Sequence, residues 1–290
     1  MKNIEIKDKK NKKDYFRYYA DNYLRLCKIK NKESTYSCYY YIINSRILPY
    51  FNNLKVKKIT NTTILNYIDN LTKQKLSNKT IKDTLSILYS ILKNTNNNVN
   101  IVYPKVIKKD IKILNKNDQL RLEEYLINNI DNITFGIYLS LYTGLRIGEL
   151  CALRFSDIDL LNNKIIIKNT VVRVKNESKY NKTILILNSA KSNSSIREIP
   201  LTYNLKNLFN KINKNNDSFY LLSNNEKFID PRNFYNKYKT ILKELNISNY
   251  NFHTLRHTFA SRCIEYGADP KTLSLILGIS KSSFTKSICS

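Results

Sequence analysis

The sequence predicts two domains: an all-α bundle in the first third and a mixed α+β domain after it. Three observations carry this. The chain has 290 residues, enough for two domains at about 100–200 residues each. Apolar residues recur at helical steps from Tyr15 to Leu92, with no strand-like alternation. The second half is mixed, with β-branched, strand-like runs beginning after residue 160 and interleaved with further helical patterns.

The elements of the bundle follow in order. Tyr15 to Leu26 places Phe16, Tyr19, Tyr23 and Leu26 at helical spacing. Ser34 is placed to cap a second helix running to Leu48, where Pro49 stops it by removing a backbone donor. Thr60 caps a third, with Ile64, Leu65, Ile68 and Leu71 on its apolar face. Ser77 precedes a fourth, with Ile81, Leu85, Leu88 and Leu92 in one stripe. The polar, Asn-rich run from Lys93 to Asn100 cannot bury a core and reads as a break. The expected boundaries are therefore a helical domain at 10–95, a linker at 96–114 and a second domain at 115–290.

In the second domain, Asn117–Asn128 and Ile133–Tyr142 read as helices. Ile165–Val174, Thr183–Leu187 and Arg197–Leu201 read as strands. Helical patterns return at Tyr203–Ile212, Pro231–Leu245, His253–Tyr266 and Pro270–Leu277.

Charge narrows the function. Lys and Arg number 49 against 23 Asp and Glu, a net +26. Such an excess favours a polyanion, because each phosphate neutralised releases condensed counterions. Part of the lysine excess belongs to a general Asn, Lys, Ile and Tyr bias of the kind an AT-rich genome produces. No apolar run reaches the ~18–20 residues a membrane span needs. Met1 to Lys13 is lysine-rich with no apolar stretch, unlike a signal peptide. The five cysteines (Cys27, Cys38, Cys151, Cys263 and Cys289) are scattered and never spaced Cys-x-x-Cys, which fits a reducing cytoplasm and neither zinc nor disulfides.

Three segments carry chemistry. In Thr143-Gly144-Leu145-Arg146-Ile147-Gly148-Glu149-Leu150 the glycine permits a tight turn. Arg146 then stands at a helix start, a natural place for a phosphate. The plainer alternative is a surface arginine paired with Glu149. In His253-Thr254-Leu255-Arg256-His257-Thr258, the steps of three and four put His253, Arg256 and His257 on one helical face. Zinc would need a third ligand that the neighbourhood does not supply. Lys191 lies in a polar turn between two strands, at the tip or shoulder of a β-hairpin; by itself it reads as a solvated loop lysine.

Together and in this order, the three segments resemble the phage-integrase (tyrosine recombinase) family. The family pattern is an arginine in Gly-Leu-Arg-x-x-Glu, a hairpin lysine, and His-x-Leu-Arg-His. Phe259, Ala260, the Gly267-Ala268-Asp269-Pro270 turn and Leu277-Gly278 are also similar to the family, as are the Ile47-Leu48-Pro49-Tyr50-Phe51 and Leu76-Ser77-Asn78-Lys79-Thr80-Ile81 stretches. The resemblance implies a SAM-like helical core-binding domain followed by a catalytic domain that breaks and rejoins DNA. It implies double-stranded DNA as partner, assembly of several copies on DNA, and no metal or cofactor. A tyrosine would attack a phosphodiester to give a 3′-phosphotyrosine. Arg146 and Arg256 would hold the phosphate, whose oxygens gain charge in the transition state. Lys191 would protonate the leaving 5′-oxygen, and His253 would donate to the phosphate or aid proton transfer. Glu149 and His257 would orient them.

The end of the sequence departs from that pattern. The family continues Leu-Gly-His, with its tyrosine about ten residues later. Here Ile279 follows Leu277-Gly278, and the tyrosine slot falls at Ile288 or, in the preferred register, at Cys289. The family's final helix has no counterpart in the sequence, which would weaken assembly. The expectation is thus an integrase-type, cytoplasmic, nucleoid-associated DNA-binding protein defective in cleavage. The alternative is a non-catalytic DNA-binding protein that competes with a parent integrase.

Overall fold

The computed structural model describes residues 13–95, 97, 99–107, 110–175, 183–189 and 196–279. Two compact units result: residues 1–109 with 174–182, and residues 110–173 with 183–290.

The first unit is helical. Helix α1 (Phe16–Lys30) runs a turn beyond Leu26, with Lys28 and Lys30 in its last turn, where cations oppose the helix dipole. Helix α2 (Glu33–Ile42) is preceded by Lys32 without a side-chain cap, so Ser34 lies inside the helix and is not its cap. Nor does Pro49 end the helical path. A π-helical segment (Ile43–Ile47) leads into α3 (Leu48–Phe51), with Pro49 in its first turn. Proline is tolerated in the first turn of a helix.

Helix α4 (Asn61–Lys73) is capped by Thr60, whose hydroxyl accepts from the Thr63 N–H. Its buried face is Ile64, Tyr67 and Leu71, whereas Leu65 is 52% exposed. The expected stripe was thus turned slightly. Tyr67 wins the buried place because its ring packs against Phe51 at 4.8 Å while its hydroxyl donates to the Arg46 carbonyl at 3.1 Å. Helix α5 (Asn78–Leu92) has Ser77 as cap and buries Ile81, Leu85, Leu88 and Leu92 as its spacing predicts. Part of the stretch read as a linker joins this core. The Asn97 side-chain amide donates to the Val56 and Ile59 carbonyls, and Ile101 is buried.

The second unit is built on helix α7 (Asn132–Thr143), buried on nearly every side and capped by Asp131. Helix α6 (Lys116–Asn128) packs against it. After α7 come the short helix α8 (Ile147–Ala152) and strands β1 (Ile158–Asp159), β2 (Lys164–Ile167), β3 (Asn169–Lys175), β4 (Thr183–Ser189) and β5 (Arg197–Pro200). The run Ile165–Val174 is therefore two strands. It breaks at Lys168, whose ammonium reaches Asp157 at 3.0 Å. β2 sits between β1 and β5, with Ile165 opposite Ile199, while β3 pairs with β4 in a separate sheet. The strands on either side of Lys191 are β4, which pairs with β3, and β5, which pairs with β2. Lys191 itself lies outside the described residues.

Helices α9 (Tyr203–Phe209), α10 (Pro231–Glu244), α11 (His253–Glu265) and α12 (Pro270–Leu277) complete the unit. Phe135, Leu150, Ile165, Phe234, Tyr238 and Leu255 are fully or almost fully buried in its core. Among the described residues no helix is long and apolar enough to cross a membrane.

Candidate functional site

Gly144 ends α7 in the left-handed conformation, at φ 66°, a geometry that costs glycine little. Two residues later Arg146 opens α8. Its backbone N–H donates to Glu149 Oε2 at 2.9 Å, and one terminal guanidinium nitrogen donates to Glu149 Oε1 at 2.8 Å. The anion at this helix start is therefore the chain's own carboxylate, not a vacancy for phosphate. What reaches outward is the Arg146 side chain, 41% exposed.

Glu149 is held from a second side by an arginine that motif reasoning passed over. Arg197 sets its two terminal nitrogens on Glu149 Oε1 and Oε2 at 2.9 and 2.8 Å. Burial alone would raise the Glu149 carboxyl. The Arg197 hydrogen bonds and charge, with Arg146 behind them, overcome it and lower the pKa from 4.5 to about 2. A sequence signal for Arg197 did exist. It shares a strand face with buried Ile199, so an arginine there points inward.

Arg256 on α11 is 3% exposed. It donates to the carbonyls of Gly144 and Leu277, both at 2.6 Å. Burial, then the nearby Arg146, lowers its pKa to about 9, so it remains charged at neutral pH. His253, Arg256 and His257 do not share one outward face. Arg256 turns inward, while the two imidazoles meet edge to face at 4.6 Å. His253 reaches the surface. Burial of its inner edge, then His257, Arg256 and Arg146, lower its pKa to about 4, so the ring is neutral at pH 7. His257 is half-buried and lowered too, by burial and by Arg256.

Gly278 closes α12 at φ 60°, and its carbonyl accepts from Arg146 at 3.2 Å. Ile279 then joins a small apolar cluster built on Ala260, Leu273 and Leu277. Arg146, Glu149, Arg256 and the two histidines are thus brought together, and Ile279 borders them. Cys289 and Ile288 lie, like Lys191, outside the described residues.

Gly148 sets how closely α8 approaches β3. A Cβ there would lie 2.6 Å from both the Val171 carbonyl oxygen and Thr170 Oγ1. Gly148→Ala is therefore expected to destabilise the unit by about 1–3 kcal/mol. Chemical denaturation checks this; an unchanged midpoint would show that the strand yields freely.

Comparison with known proteins agrees with this architecture. The phage integrase family model matches residues 100–288, and the phage integrase N-terminal SAM-like domain model matches residues 15–72. The chain is similar to a tyrosine recombinase XerC-like protein of Caldanaerobacter subterraneus subsp. tengcongensis, 29% identical over 171 residues, covering 52% of this chain and 43% of that protein. It is also similar to tyrosine recombinase XerD of Rickettsia bellii, 30% identical over 203 residues, covering 67% of this chain and 64% of that one. The chain thus spans less than two thirds of either relative. Its fold is shared with the Tn1549 transposon integrase in complex with circular intermediate DNA, at TM-score 0.76, 18% identity, and 93% and 94% coverage of the two chains. It is shared as well with a lambda integrase dimer bound to a core site, at TM-score 0.63, 14% identity, and 93% and 94% coverage. An all-helical domain followed by a mixed α+β domain, each matched by its own family model, makes this chain a member of the phage integrase family.

Proposed function

We propose that this chain binds double-stranded DNA as an integrase-type protein and takes part in strand exchange without cutting DNA through its own nucleophile slot. The observation that carries the binding is the Arg146 guanidinium. It is held by Glu149 through one terminal nitrogen and by the Gly278 carbonyl through the other, and is 41% exposed, in a protein of charge +26. A planar fork held in this way suits two phosphate oxygens. Arg256 and neutral His253 stand beside it, the first adding positive charge and the second a hydrogen bond. Lys191 is the proposed acid for the 5′-oxygen, and Glu149 and His257 orient the others. The lambda integrase dimer and the Tn1549 integrase are bound to DNA, and this chain is proposed to assemble on DNA in the same manner, in the cytoplasm.

Missing cleavage is proposed from two positions. Ile279 offers no side-chain donor where the family has histidine, and Cys289 or Ile288 stands in the tyrosine register. Ile279 also favours a second reading, a non-catalytic protein that occupies a parent integrase's site, because its side chain is committed to an apolar cluster.

Affinity for a duplex measured against salt tests the proposal. A steep decline is expected, and Arg146→Ala should reduce the logarithmic slope by about 1, one phosphate contact. A flat dependence would sink it.

A further inference from the structure

Arg197 lies inside the site, yet its contacts leave it turned away from any ligand. Its Nε–H donates to the Ile276 carbonyl at 2.7 Å, and its terminal nitrogens donate to both Glu149 oxygens. Only 11% of its side chain is exposed. The two forks meet on one carboxylate: Glu149 Oε1 accepts from Arg197 at 2.9 Å and from Arg146 at 2.8 Å. The same end of α12 receives two more guanidinium groups, Arg256 on the Leu277 carbonyl and Arg146 on the Gly278 carbonyl. Three successive carbonyls, where the helix gathers partial negative charge, are thus each met by a different arginine.

We propose that Arg197 is a positioning residue for the DNA-phosphate contact made by Arg146. It fixes the plane of the Glu149 carboxylate, and it ties down the last turn of α12, so both groups that grip the Arg146 fork are set by Arg197. The proposal rests on the phosphate-binding role of Arg146 given above. Without Arg197, Glu149 would face Arg146 alone. A carboxylate with one partner can rotate, and an exposed arginine would follow it through several rotamers. Lysine cannot replace the fork, because a single ammonium lacks the planar donor array that spans two carboxylate oxygens and a carbonyl. Gly278 keeps room for this arrangement, since a Cβ there would sit 3.2 Å from Arg197 Cδ.

A double-mutant cycle on the full chain tests this. Arg197→Met, Arg146→Ala and the combination are compared for binding to a short duplex. Arg197→Met is expected to weaken binding about tenfold alone and less than about twofold when Arg146→Ala is already present. Equal losses in both backgrounds would overturn the proposal, because Arg197 would then act independently of Arg146. Arg197→Lys should behave like Arg197→Met; full binding by the lysine variant would overturn it too, since charge alone would suffice. If Arg197→Met fails to melt cooperatively, Arg197→Lys carries the same cycle. Loss of folding in both would assign Arg197 to the core fold instead. A second measurement needs no DNA: the Nε–H resonance of Arg146 in a nitrogen-15 spectrum, assigned by its loss in Arg146→Ala. It should shift or broaden in the Arg197 variant, and an unchanged signal would overturn the positioning role. Failure of the native chain to bind duplex would remove the phosphate role and leave this second result standing on its own.

Discussion

Glu149→Ala is expected to cost the second unit about 3–5 kcal/mol of stability, the range for breaking a buried pair by removing one partner. The carboxylate is 9% exposed and holds both Arg197 and Arg146. Its removal strands Arg197 with a buried charge and one carbonyl. Urea denaturation would measure the loss, and a midpoint within experimental error of the native value would refute it. Acid should act in the same direction. The Glu149 pKa falls from 4.5 to about 2 on folding, so the folded state favours the ionised form. Its contribution is complete above pH 4.5 and is lost as pH falls toward 2. At about 1.4 kcal/mol per pKa unit this amounts to about 3 kcal/mol. His253 acts at higher pH. Its imidazole stays neutral in the folded state, with a pKa lowered from 6.5 to about 4, so its contribution is present above pH 6.5 and declines toward pH 4. The two windows barely overlap. Glu149→Gln should flatten the lower one and leave the upper one intact.

No covalent complex is expected when this chain is incubated with a labelled suicide DNA substrate. Attack on phosphorus needs a nucleophile that reaches it. In the proposed register the tyrosine position falls at Cys289 or Ile288. Isoleucine has no nucleophile. Cysteine is shorter than tyrosine by most of a ring, and a misplaced nucleophile loses most of the advantage of proximity. Ile279 removes a donor as well, a loss that can cost about 10²–10³ in rate. Denaturing electrophoresis decides the matter. An adduct on any residue would overturn the inactivity, and one mapped to Cys289 would establish a thiol mechanism. Cys289→Tyr combined with Ile279→His should recover some adduct. The histidine would have to leave the apolar cluster that Ile279 joins with Leu273 and Leu277, so recovery is expected to be partial.

Local chemistry decided what was legible without coordinates. Thr60 caps its helix as read, and Ser77, read as preceding a helix, caps it, since a hydroxyl that accepts from the N–H three residues on is a property of four consecutive residues. The order of helices and strands, the turn at Gly144 and the pairing of Arg146 with Glu149 were local too. The plainer alternative, an exposed arginine paired with Glu149, is present in the structure, and the proposed phosphate contact is built on that pair. Long-range choices were invisible. Whether Pro49 ends a helix depended on the π-helical turn before it, and whether Leu65 or Tyr67 faced inward depended on Phe51 and the Arg46 carbonyl. The division of Ile165–Val174 into strands of two sheets followed from pairing partners, which β-propensity does not specify. The sequence by itself determined the family, the two-domain class and five of the residues that converge. Only the tertiary structure turned Arg256 inward and joined Arg197 to Glu149, because a buried charge takes its partners from wherever packing brings them, here from a strand 48 residues away.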